Sequence, residues 1–136
     1  MSLTEPAEIY SDELVARFIR TKAWLRISDN TVRPDAFMPP RDLNLSVTRH
    51  IGLSEESLWK IGKQVISKFA EKRPAELIGR ADLLVETIPP PLRAEPVPVP
   101  ENPNHAHVTG WPTDKPSQKN IAQRLAAAAT FLHFRE

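Results

Sequence analysis

The chain of 136 residues contains no cysteine, which excludes disulfides, thiolate metal sites and cysteine nucleophiles. Glycine is nearly as scarce, with only Gly52, Gly62, Gly79 and Gly110. No glycine-rich phosphate loop can be assembled from residues so far apart, so nucleotide binding by that route is excluded. Nowhere does an apolar run approach the roughly 18 residues of a membrane span. The opening stretch, MSLTEPAEIYSDE, is acidic and lacks the apolar centre of a signal peptide, so the expectation is a cytoplasmic protein without a membrane partner. A surplus of one charge is missing too: 18 Lys and Arg face 17 Asp and Glu. Residues 54–73 carry five cations against three carboxylates, and residues 111–136 four against two. That falls short of a Lys/Arg stripe able to neutralise several phosphates, so a nucleic-acid partner is not expected. No internal repeat is visible.

What is present fits one folded unit over 1–136: 40% hydrophobic and 26% charged residues in 15.3 kDa, enough to bury a single core. Proline is the outlier, with 14 in the chain and seven of them in 89–103, PPPLRAEPVPVPENP. In a longer chain this would read as a linker in polyproline geometry. A strand and a helix follow it here and must return to the same core, so it reads as an ordered surface or edge-strand segment.

Two helices are expected. In LSEESLWKIGKQVISKFAEKRP, Ser54 caps the start, Glu55 and Glu56 suit the positive end of the dipole, Lys68, Lys72 and Arg73 suit the other, and Pro74 stops the run. Its apolar residues at 58, 61, 65 and 69, joined by Val65-Ile66, trace one face, and Gly62 on that face suggests close approach by a neighbour. The second helix, over 117–133, opens at Pro116 or Ser117 and carries the stripe Ile121, Ala122, Leu125, Ala128, Ala129 and Leu132.

Most of the remainder reads as extended. DLNLSVTRHI places Leu43, Leu45, Val47 and Arg49 on one side and Asn44, Ser46, Thr48 and His50 on the other. HAHVTGW places His105, His107 and Thr109 opposite Ala106, Val108 and Gly110. AELIGRADLLVETI fits a strand better than a helix, and SDELVARFIRTKAWLRISD reads as a short helix capped by Ser11 followed by a strand at AWLRIS. The fold class that results is α+β: a single domain with a small, mostly antiparallel sheet and two main helices packed on one face.

The stretch NPNHAHVTGWP is the densest in reactive side chains. His105 and His107, two apart on a strand, project their imidazoles from the same side about 6 to 7 Å apart, a spacing that suits one metal ion. A third ligand would have to be His50, or a carboxylate from Asp82, Glu86 or Asp114. No recognised metal motif results, so no metal and no cofactor is assigned. HVT at 107–109 matches one half of a paired His-x-Thr/Ser hydrolase signature, but neither His50 nor His133 is followed by a hydroxyl at the right place, and acid–base chemistry needs both halves. Ser46 stands in no nucleophile context, and Ser54 and Ser117 read as helix caps. Trp111, between Gly110 and Pro112, suits an interface anchor or a plug at the end of the core. Arg41 and Arg49 flank the LSV strand and suit an anion or a rim carboxylate.

The stretches VRPDAFMPPRDLNLSVTRH, LIGRADLL, and NPNHAHVTGWP followed by KPSQKNIAQRLAAAA together resemble a family of small bacterial domains that accompany larger gene products, including those of defence-type clusters. The resemblance implies an accessory role through protein contact, with self-association open and no catalytic residues carried over. Arg49, His50, His105, His107, Thr109 and Trp111 form the expected binding face, provided that the strand at 105–109 adjoins the segment 43–50. The rival expectation is a histidine-dependent, metal-assisted hydrolase or phosphoesterase built on His105, His107 and His50.

Overall fold

The computed structural model describes residues 8–135. The chain runs through β1 (Leu14–Ile19), a 3-10 turn (Lys22–Trp24), β2 (Leu25–Arg26), β3 (Thr31–Val32), a second 3-10 turn (Pro34–Phe37) and β4 (Leu45–Arg49). It continues with α1 (Glu55–Ala70), β5 (Gly79–Leu84), a third 3-10 turn (Val85–Thr87), β6 (Arg93–Pro96), β7 (His105–Thr109), α2 (Lys115–Ala128) and β8 (Thr130–His133). Six strands form one antiparallel sheet in the order β6-β7-β4-β1-β5-β8, and β2 and β3 form a separate hairpin. The hairpin turns at Asp29-Asn30, where Asn30 adopts φ 61° and Asp29 Oδ1 accepts from the Thr31 hydroxyl at 2.6 Å. The result is a single α+β domain, and among the described residues no helix is long and apolar enough to cross a membrane.

The two helices lie on opposite faces of the sheet, not on one. Along β1, Val15 and Ile19 enter the cluster that contains Ile121, Ala122 and Leu125 of α2. The alternate residues Ala16 and Phe18 pack with Leu58 and Ile66 of α1. The cause is topological. β4 and β5 both run antiparallel to β1 and are therefore parallel to each other, while β7 and β8 are parallel in the opposite sense. Both crossovers, β4-α1-β5 and β7-α2-β8, step across the sheet in the same direction. Parallel crossovers nearly always share one handedness, and with the strand sense reversed that handedness puts the second helix on the other side.

The same fact explains β1, which sequence periodicity assigns to a helix after Ser11. LVARFI lacks clean alternation because a central strand covered on both faces needs apolar residues at successive positions; Val15, Ala16, Phe18 and Ile19 are all buried. Residues 22–24 are a 3-10 turn, and only Leu25 and Arg26 of AWLRIS are strand.

α1 forms where expected, with Ser54 Oγ accepting from the Ser57 amide, but the face it buries is Leu58, Gly62 and Ile66, and Val65, expected on that face, is exposed. Gly62 lies so close to Phe18 that a Cβ would sit 2.6 Å from its ring. α2 departs at both ends. Its cap is Asp114, whose carboxylate accepts from the Ser117 amide at 2.9 Å, so Ser117 is inside the helix instead of capping it. The helix stops at Ala128, Ala129 turns extended (φ −80°, ψ 149°), and Thr130–His133 become edge strand β8 against β5. The helical spacing of Leu132 continued the alanine stripe by coincidence, while the β-branched and aromatic pair Thr130-Phe131 favours the strand.

Of the proline-rich segment, Arg93–Pro96 is the edge strand β6, and Val99 bridges back to Asn102. Proline is tolerated there because an edge strand has one row of amides without ladder partners.

Candidate functional site

β7 pairs with β4 in the register Leu45↔Val108, Ser46↔His107, Val47↔Ala106 and Thr48↔His105. The adjacency on which the expected face depended is therefore present. Paired residues point to the same side, so His105 and His107 stand beside Thr48 and Ser46 on the α1 side, with Glu95 of β6 opposite His107 and Arg93 opposite Thr109. Ala106 and Val108 turn to the other side and are buried in the α2 core. α1 gathers its apolar contacts over Ala16 and Phe18 of β1 and leaves Ser46 exposed. The β6-β7-β4 half of this face is polar and open.

The two histidines differ. His105 Nδ1 lies 2.8 Å from the Val97 carbonyl oxygen, which accepts, so the proton sits on Nδ1. His107 has no hydrogen-bond partner among the described residues, and its ring meets that of His105 edge-on at 4.9 Å. Burial, and next the neighbouring His105, push the pKa of His107 below its usual value, so it is neutral at pH 7 and offers one donor and one acceptor. The rim is fixed by asparagines: buried Asn102 donates to Thr48 Oγ1 at 3.0 Å, and Asn104 donates to the carbonyls of Arg49 and Ile51. Lys68 of α1 reaches Glu101 of the same loop at 3.2 Å.

Three of the six expected binding residues, His105, His107 and Thr109, share this surface. Arg49 does not belong to it. Its guanidinium is buried on the α2 side, forked onto Glu13 at 2.9 and 2.8 Å and bonded to the Glu8 carbonyl. Glu13 is held below the usual carboxylate pKa, chiefly by that hydrogen bond from Arg49. Trp111 is also withdrawn: it is buried in the α2-side core and donates its Nε1 proton to the Val108 carbonyl at 3.0 Å. Gly110, at φ 92°, makes the turn into it, and a side chain there would strike the Pro91 carbonyl. A buried residue on the far side of the sheet cannot touch a partner docked on this one.

His50 shares the α1 side but is engaged elsewhere. Its Nε2 lies 2.9 Å from Asp82 Oδ1, and Asp82 in turn accepts from Arg80 Nε at 3.0 Å. Arg80, with its side chain almost completely buried, forks onto Glu55 at 2.8 and 2.9 Å and lies over the Trp59 ring at 4.6 Å. Glu55 has its pKa lowered, first of all by the Arg80 hydrogen bond. His50 is thus part of a chain, Glu55–Arg80–Asp82–His50, that ties the start of α1 to the sheet. Among the described residues no group of three or more His, Asp or Glu is arranged to hold a metal ion. A carboxylate-oriented histidine can hold and pass a proton, but among the described residues no serine or threonine hydroxyl is hydrogen-bonded to it.

Sequence reasoning passed over Arg80, Glu55 and Asn102 as site residues, and it weighed Ser46 only as a nucleophile. Arg80 and Asp82, two apart on β5, carried a signal of the same kind as His105 and His107. Asn102 carried none, because its role depends on a loop folding back onto β4. Compared with models of known families, with curated proteins and with solved structures, the chain matches none.

Proposed function

We propose that the protein is a cytoplasmic binding module of accessory type that contacts a protein partner through the open half of the α1 face, centred on His107 with Ser46, His105 and Thr109. The observation that carries this reading is the half-buried, neutral His107 without a partner of its own, beside the exposed Ser46, on a rim held by Asn102 and Asn104. Such a surface gives direction to hydrogen bonds at little cost in side-chain ordering, since strands and short side chains are already fixed. Arg93 and Glu95, ion-paired at 2.6 Å, border it with balanced charge. The test is site-specific photo-crosslinking in cells, with the probe at Ser46 or, as control, at Arg124 on the exposed side of α2. One protein captured from position 46, absent from position 124 and lost on His107→Ala, is the expected result. Equal capture from both positions, or none from position 46, would sink it.

A further inference from the structure

Arg17, Arg20 and Arg73 lie near one another, and among the described residues none of the three forms an ion pair with a carboxylate. The β1–β4 ladder covers only Val15↔Arg49 and Ala16↔Thr48. Where the strands part, the Arg17 side chain enters the gap, with Nε donating to the Ala36 carbonyl at 2.9 Å and Nη1 to the Ser46 carbonyl at 3.1 Å. Both acceptors are neutral. Nη2 has no partner among the described residues and is not among the polar atoms sealed from solvent. Arg17 and Arg20 share the ring of Trp24, at 5.2 and 4.2 Å from its centre, and Arg20 also lies over Phe69 at 4.1 Å. Aromatic faces attract a cation but carry no net charge.

Burial, and then Arg20, bring the Arg17 pKa down to about 10. Arg20 is lowered by burial and then by Arg73. Glu71 and Glu76 are near in sequence, yet neither forms an ion pair with any of the three. The contrast within the molecule is plain, because the buried Arg49 and Arg80 each hold a carboxylate in a fork. Cations drawn close together and partly withdrawn from water, as the half-buried Arg17 and Arg20 are, are unfavourable until an anion joins them. Planar guanidinium groups suit phosphate oxygens, and several cations at one place favour a multiply charged anion over a single carboxylate.

We propose that Arg17 and Arg20, which share the Trp24 ring, together with the exposed Arg73, whose amide donates to the carbonyl of the Phe69 that Arg20 covers, form a binding site for a phosphate group. The site is independent of the protein-contact reading, since none of these residues belongs to the His107 surface.

The test titrates the full chain with inorganic pyrophosphate at constant ionic strength, by calorimetry, and in parallel with a thymidine oligonucleotide. Saturable binding is expected, weakened by about tenfold or more in Arg20→Gln and in Arg73→Gln, each shown to be folded by circular dichroism. A Lys115→Gln/Lys119→Gln variant, altered on α2, should bind as the wild type does. A preference for pyrophosphate assigns the phosphate to a small ligand, whereas tighter, steeply salt-dependent binding of the oligonucleotide assigns it to a nucleic-acid strand. Absence of binding to both, or binding that survives in both arginine variants, overturns the proposal. Arg17→Gln is not needed for the decision, because its bonds to Ala36 and Ser46 also hold the strands.

Discussion

The α2 side and the α1 side of the sheet are built from alternate residues of the same strands, yet they solve different problems. Under α2 the sheet is sealed with Val15, Ile19, Leu45, Val47, Ala81, Leu83, Ala106 and Val108, closed at one end by the Arg49–Glu13 pair. Under α1 the apolar contact is small, Ala16 and Phe18 against Leu58 and Ile66, and it is bordered by the Arg80 network on one flank and the open histidine surface on the other. The lesson is that a buried arginine is paired in two ways: under α2 both Arg49 and Glu13 are enclosed, whereas under α1 Arg80 is enclosed and its partner Glu55 is exposed.

That contrast can be broken most severely at Arg49. Arg49→Ala strands the Glu13 carboxylate inside the molecule and should cost about 3–5 kcal/mol in denaturant unfolding, whereas the double change Arg49→Met/Glu13→Leu should cost far less. Second comes the α1 contact. Gly62→Val drives a side chain into the Phe18 ring and should cost about 1–3 kcal/mol, with Phe18→Ala in the same chain returning part of the loss as a non-additive term.

Acid sharpens the comparison further. Glu13 titrates below its ordinary 4.5, so the stability it gives is fully present above that value and is lost as pH falls through its lowered folded pKa. His107 acts earlier: with its pKa depressed, the unfolded chain takes up the proton first, and stability declines as pH drops below 6.5. Unfolding midpoints measured from pH 7 to pH 3 should therefore show a shallow loss removed by His107→Ala, followed by a second loss removed by Glu13→Gln. The smallest effect on stability belongs to the open surface. Ser46→Ala should stay within about 0.5 kcal/mol of wild type while weakening partner capture by a probe at position 109.

How much of this was legible can be judged from single residues. The strands at 45–49 and 105–109 were readable because each has one buried and one polar side, which is the condition for strict alternation. That alternation already set Arg49 with Leu45 and Val47, apart from His50; grouping the two arose from sequence adjacency, which in a strand means opposite faces. Trp111 gave no such cue, since nothing local says whether an indole after a glycine turns inward. β1 and β8 were misread for different reasons: β1 because burial on both faces erases its period, β8 because four residues are too few to outweigh a preceding helical stripe. His50 was read as a partner of His105, and only the placement of β5 two strands away put Asp82 within its reach.

Composition and local pattern by themselves determined an α+β domain without thiol chemistry or a glycine-rich phosphate loop, the extent of α1, and which side chains of β4 and β7 share a side. These are properties of a few neighbouring residues, governed by dihedral period and capping. Tertiary structure alone decided that the helices take opposite faces, that Arg49 is sealed against Glu13, and that Arg17 and Arg20 meet around Trp24. Each of those depends on strand order and crossover sense, which join segments far apart in the chain and leave no periodic trace within any one of them.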